Sequence, residues 1–252
     1  MNRWLNFILL FVLLNGIILS QTPEEIFSDG NAAYQNEDWQ TAIQTYEKLL
    51  NQNYESASLY YNLGNSYFRI GAIGKTILNY ERALKLKPGD DDIQFNLRLA
   101  KARTFDRIQE VPKLFILEWW DLLITSIAVS TWSLVVLFFY ILLLLSIGAY
   151  FLSRSILLQK LSVYSGIISL IFFMLTAGVL FASYNREVST DYGVVTTDLV
   201  NVKVSPREDS NDAFIIHEGL KLEIEDRLEN WARIKLADGK VGWAPVNSFE
   251  KI

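Results

Sequence analysis

Hydrophobic and polar positions change rhythm four times along the chain. Residues 4–19 are almost wholly apolar, held between Met1-Asn2-Arg3 and Ser20-Gln21-Thr22-Pro23. A basic start, a short apolar run and a small residue before a polar break form the pattern of a secretory signal. About 15 residues is also short for a span, which needs ~20 to cross ~30 Å of hydrocarbon. Residues 1–20 are therefore expected to be a signal peptide, cleaved after Ser20 or kept as an anchor, and the segment that follows is exported in either case. Residues 21–110 alternate with a helical period. Leu122 to Ser153 carry no charge over 32 positions, more than one spanning helix needs. Indole prefers the headgroup level, so Trp119, Trp120 and Trp132 divide this block into an interfacial helix over 111–130 and a transmembrane helix over 131–152. A second uncharged block, Leu161 to Asn185, predicts a transmembrane helix over 161–185. Beyond Arg186 the helical period gives way to short alternating runs.

The turn between the two blocks, 153–160, holds Arg154 and Lys160 and no acid. By the positive-inside rule it is cytoplasmic. One span in and one span out then return the C-terminus to the exported side, in agreement with the signal. Two core helices of a soluble protein would not need uncharged blocks of this length.

Composition supports the division. The chain is 51% hydrophobic with 20% charged residues and a mean hydropathy of +0.19, where soluble domains run at ~25% charge. A net charge of -5 argues against a nucleic-acid partner, because neutralising phosphates takes clustered Lys and Arg. The absence of cysteine excludes disulfides, thiolate metal sites and cysteine nucleophiles. His217 is the single histidine, and it is expected at a strand end on the surface. No nucleotide-binding glycine loop, serine elbow or histidine cluster stands in the sequence, and no paired carboxylate outside turns and helix caps. Hence no catalytic residue, cofactor or metal ligand is expected. The acids of Pro88-Gly89-Asp90-Asp91-Asp92 are consecutive, so they read as a turn and a helix cap instead of a calcium loop.

The exported helical segment repeats itself at a shift of 34 residues. Gly30 falls on Gly64, Asn31 on Asn65, Ile43 on Ile77, Tyr46 on Tyr80, Glu47 on Glu81 and Leu50 on Leu84. Within each unit a glycine on the first helix opens a close contact, a small residue (Ala42 or Thr76) faces it, and a tyrosine four residues on fills the gap. Pro88 closes the second unit. This resembles the tetratricopeptide repeat, with units at 23–56 and 57–90 and a capping helix over 91–107. The first unit departs from the family's pattern, with Leu49 where Ala is usual and Tyr54 where Pro is usual. The resemblance implies an all-α solenoid whose first helices line a concave surface. The corresponding positions are Phe27, Asn31, Tyr61, Asn62, Asn65, Arg69, Asn96 and Arg103, a candidate peptide-binding groove. Tyr61, Asn65 and Arg69 share one helix face at i, i+4, i+8, joining an aromatic, an amide and a guanidinium. Such a face either binds an extended peptide or is a solvated groove. Charge is graded along it: residues 21–68 hold seven acids against Lys48, and residues 69–110 hold nine bases against six acids. An acidic or free C-terminal end of a partner is expected to lie toward Arg69 and Arg103.

Six strand candidates follow residue 190: Tyr192–Thr197, Asn201–Val204, Ala213–Ile216, Lys221–Glu225, Ala232–Leu236 and Lys240–Trp243. The run Arg233 to Leu236, the turn Asp238-Gly239 and the return Lys240 to Trp243 form a hairpin signal. The order of turns and tryptophans resembles a bacterial SH3-like domain over 190–252, implying a small all-β barrel. Lys203-Val204-Ser205 replaces the arginine, polar residue and glycine more usual there. Trp231 and Trp243 are either core and rim residues or the ligand surface of this domain.

The order of these parts, with Phe95-Asn96-Leu97-Arg98, Asp106-Arg107-Ile108 and Val111-Pro112 before the tryptophans, resembles the BatE-type proteins of the Bacteroides aerotolerance operon. The resemblance implies a multi-domain membrane protein: an inner-membrane scaffold without catalytic activity, working beside von Willebrand A-domain membrane proteins and, through them, a MoxR-type ATPase. The alternative is a peptidoglycan-associated accessory that targets a cell-wall enzyme.

Overall fold

In the computed structural model, residues 21–108, 112, 114–189 and 191–252 are described. The expected signal, 1–20, lies outside them. The chain divides into two compact units, Met1–Tyr54 and Glu55–Ile252.

The first unit is a helix pair, α1 (Pro23–Gln35) and α2 (Trp39–Asn51). Thr22 opens α1 with a reciprocal capping box: its side chain accepts from the Glu25 amide, and the Glu25 carboxylate accepts from the Thr22 amide. Asp38 caps α2 through the Thr41 amide. Between the helices, a Cβ on Gly30 would stand 2.5 Å from the Tyr46 ring, so only glycine admits that ring.

The second unit opens with α3 (Ala57–Ile70), α4 (Ile73–Leu86) and α5 (Asp91–Lys101). The glycine and tyrosine contact recurs here, with the Gly64 Cβ position 2.7 Å from the Tyr80 ring. Asp90 caps α5 by accepting from the amides of Asp92 and Ile93, which is the capping role expected of the acids at 88–92. The expected capping helix of 91–107 is shorter, because the chain leaves α5 at Ala102 and runs toward the sheet.

α6 (Phe115–Thr125) lies within the expected interfacial stretch 111–130, and residues 109–111 and 113 fall outside the description. α7 (Val129–Leu152) and α8 (Ile156–Ser189) pack against each other. Both are long and apolar enough to cross a membrane, with windows of mean hydropathy 2.6 and 2.2. The turn between them is only Ser153–Ser155; Lys160 has joined α8. At 34 residues, α8 runs for about 51 Å at 1.5 Å per residue, longer than a hydrocarbon core. Trp119 and Trp120 are exposed, whereas Trp132 is buried in the first turn of α7.

Seven strands follow: β1 (Asp191–Val195), β2 (Leu199–Lys203), β3 (Asp212–His217), β4 (Lys221–Leu228), β5 (Trp231–Lys235), β6 (Val241–Pro245) and β7 (Phe249–Lys251). They form one antiparallel sheet in the order β3-β2-β6-β5-β4-β1-β7. The sheet is not closed, which corrects the expected barrel. Its end strands, β3 and β7, each pair on one side only. β7 was not foreseen, since three residues after a 3-10 turn carry too little alternation to register. Val200, Val202, Ile216, Leu222, Ile224, Ala232, Ile234, Ala244 and Phe249 form the core of the sheet.

Candidate functional site: the α3/α5 face and the α4–sheet junction

α4 is enclosed on most of its surface: Ile73, Gly74, Thr76, Ile77, Leu78, Asn79, Tyr80, Glu81 and Ala83 are all buried. One side packs on α3 and α5, and the sheet covers the other. Gly74 makes this approach feasible. A Cβ there would stand 2.6 Å from the Val195 carbonyl oxygen, and its amide donates to the Glu218 carboxylate at 3.0 Å. Gly219, at φ +83°, brings its backbone so close that a Cβ would meet Thr104 at 2.7 Å and Ile77 at 2.9 Å. Charge completes the junction. Lys75 pairs with Glu250, and Arg82 donates to the Lys251 carbonyl. Asp106 accepts from the His217 amide at 2.6 Å and meets its ring Nδ1 at 2.9 Å. His217 thus sits at a strand end, as expected, but half-buried against Asp106 and Phe105.

At the centre lies Glu81, 8% exposed. Its two carboxylate oxygens each accept from a lysine at 2.7 Å, Lys101 at the end of α5 and Lys221 on β4. Burial pushes its pKa up, but the Lys221 and Lys101 ammonium groups outweigh burial and hold the carboxyl below the usual glutamate range.

The opposite side of α4 meets the face expected to bind peptide. The Tyr80 hydroxyl crosses to donate to the Asn65 amide oxygen at 2.6 Å. Asn96 on α5 donates to the Tyr61 hydroxyl at 2.8 Å and to the same Asn65 oxygen at 3.3 Å. Tyr61, Asn65 and Asn96 are thus brought together, in a network that ties α3, α4 and α5. Asn62 is half-buried on α3 and Arg69 is exposed in its last turn. The Arg103 guanidinium stacks over the Phe68 ring at 4.1 Å, leaving its edges for a ligand. In the first unit the same device recurs: Tyr46 donates to Asn31 at 2.8 Å, and Phe27 packs on Tyr46 at 5.9 Å between centroids. The asparagines read as ligand amides therefore also serve the repeat itself. Trp231 and Trp243 are half-buried on the sheet face away from Ala232, Ile234 and Ala244, with Trp231 opposite Pro245 and Trp243 between Arg233 and Lys203.

A family model described as TPR repeat matches residues 30–71. This stretch is a tetratricopeptide repeat. The surrounding helices fit a solenoid of that kind, and the repeat points to a role in protein–protein interaction. No curated protein matches the chain.

Proposed function

We propose that the chain is a non-catalytic scaffold of the bacterial inner membrane. In this reading α7 and α8 cross the bilayer as a hairpin, the turn near Arg154 and Lys160 faces the cytoplasm, and the tetratricopeptide helices and the sheet share the exported, periplasmic side. The observation that carries it is the docking of the sheet on α4. Elements before and after the two apolar helices meet through Glu81, Lys221, Gly74 and Glu218, so they share one aqueous compartment, and two crossings satisfy that condition. α6 supports the same picture. It exposes Phe115, Trp119 and Leu122, and it is held to α8 by Asp121–Arg186 at 3.0 Å and by the Ser183 hydroxyl donating to the Ile124 carbonyl at 2.9 Å. Such a helix suits the headgroup layer.

The face built from Tyr61, Asn62, Asn65, Arg69, Asn96 and Arg103 takes an extended segment of a protein partner, its acidic end toward the arginines. The sheet acts as an SH3-like second contact through Trp231 and Trp243. By its resemblance to BatE-type proteins, the scaffold serves a stress or aerotolerance complex with von Willebrand A-domain proteins and a MoxR-type ATPase. Chemical crosslinking in native membranes, followed by identification of the captured chains, tests this. Exported or inner-membrane proteins are the expected products, reduced in an Arg69→Ala/Arg103→Ala variant that still folds. Soluble cytoplasmic chains as the main product would overturn topology and role together.

A further inference from the structure

α5 ends the stack of helices in the second unit, and its outward face is unusual for a terminal helix. Ile93, Leu97 and Ala100 are buried, which leaves Asp91, Phe95 and Arg98, at i, i+4 and i+7, on the opposite stripe with Leu99 beside them. Phe95 is 59% exposed and Leu99 44%. A terminal helix of a repeat array needs a polar outer face to stay soluble; this one carries an aromatic at its middle. Its charges are sorted by end, with Asp91 and Asp92 in the first turn and Arg98 in the last turns. Among the described residues neither Asp91 nor Arg98 has a side-chain hydrogen bond or ion pair.

We propose that this face pairs with the α5 of a second copy of the chain, antiparallel, about a two-fold axis through Phe95. The charge order selects that occupant. A parallel arrangement would set acids on acids, whereas an antiparallel pair with Phe95 on the axis places Arg98 of each copy beside Asp92 and Asp91 of the other. Both contacts form twice because a two-fold interface is self-complementary. The helix dipoles oppose in the same arrangement. The patch is one helix face, too small for a dimer of freely diffusing chains. Its strength rests on the membrane reading, since confinement of both copies to one bilayer raises their effective concentration.

The chain has no cysteine, so a single Phe95→Cys reports on the axis. Membranes from cells expressing the full chain are collected, washed with carbonate and oxidised with copper phenanthroline. A disulfide-linked species of twice the 28.9 kDa chain mass is expected for Phe95→Cys and not for Asp209→Cys, on an exposed loop of the sheet. Adding Arg98→Glu should lower the linked fraction roughly fivefold or more, and adding Asp91→Arg and Asp92→Arg to that same chain should restore it. Chain released by carbonate would fail the membrane reading. Chain retained but not linked at Phe95→Cys, or linked with no response to Arg98→Glu, or not restored by the reversed charges, would overturn the pairing. A mixed product with another protein would overturn it as well.

Discussion

Replacing Glu81 by alanine removes the group on which three elements converge. The carboxylate accepts two charge-assisted hydrogen bonds at 2.7 Å, and such bonds contribute about 1.5–3 kcal/mol each. The lysines keep 45% and 37% side-chain exposure, so in the variant both ammonium groups regain water. The cost therefore falls near the lower end of the sum, about 2–4 kcal/mol for Glu81→Ala and about half that for Glu81→Gln, which keeps the shape and one acceptor. Because the folded-state pKa of Glu81 is depressed, its contribution is fully present above the unfolded value of ~4.3 and is lost as pH falls through the lower, folded value. Denaturant unfolding of the detergent-purified chain, at pH 7 and in steps below pH 4.5, checks both claims. Wild type should lose stability on acidification more steeply than Glu81→Gln. Protection from proteolysis should fall first in the sheet. A Glu81→Ala midpoint equivalent to wild type within ~0.5 kcal/mol, or identical acid limbs, would refute the argument that the carboxylate bridges α5 and β4 in the folded chain.

Gly74→Ala should loosen the sheet from α4 by about 1–3 kcal/mol, since the new methyl meets a carbonyl oxygen 2.6 Å away; hydrogen exchange at the Val195 and Gly219 amides reports it. Gly64→Ala should destabilise by a similar ~1–3 kcal/mol through the Tyr80 ring, while Gly89→Ala, with nothing within 4 Å, should unfold with wild type. Tyr80→Phe strands the Asn65 amide oxygen on one weaker bond from Asn96 and should cost about 1 kcal/mol, read by thermal melting of the same detergent-purified chain. Single cysteines at Gln52 and Asn211 should be labelled from outside intact spheroplasts and one at Leu157 should not; labelling only at Leu157 would reverse the topology.

What could be read in advance was whatever repeats or runs long. The shift of 34 residues located Gly30 and Gly64, and their tyrosines fill those glycines as the spacing required. The two uncharged blocks announced α7 and α8, though the ends moved: α7 starts two residues earlier, and α8 takes in residues on both sides of 161–185, because helical hydrogen bonding continues past the last apolar residue. The α4–sheet junction was not foreseen, since docking between segments about 140 residues apart leaves no periodicity. Two signals for it existed. Gly74 stands where the first unit has Gln40, a glycine that the repeat itself does not need. Glu81 lies on the stripe of Ile77 and Leu84, where an acid interrupts an apolar face and calls for a partner. The groove residues were legible by type and face but not by employment, because the sequence does not tell an amide offered to a ligand from one satisfied by a neighbouring tyrosine.

The junction on α4 also orders events in time. Ribosomes release α4 long before β1 to β7, and the two apolar helices lie between them in the chain. Until the last strands arrive, Glu81 sits on an apolar stripe with only Lys101 to meet it, and the Gly74 amide lacks its acceptor. In a chain inserted as a hairpin, as proposed above, the sheet reaches α4 only after both crossings are complete. A chain with one helix left out strands the sheet in the other compartment and presents the uncovered flank of α4 to chaperones and proteases. In the proposed topology the buried carboxylate is thereby a checkpoint on assembly, satisfied by molecules with both crossings made and exposing the others to removal.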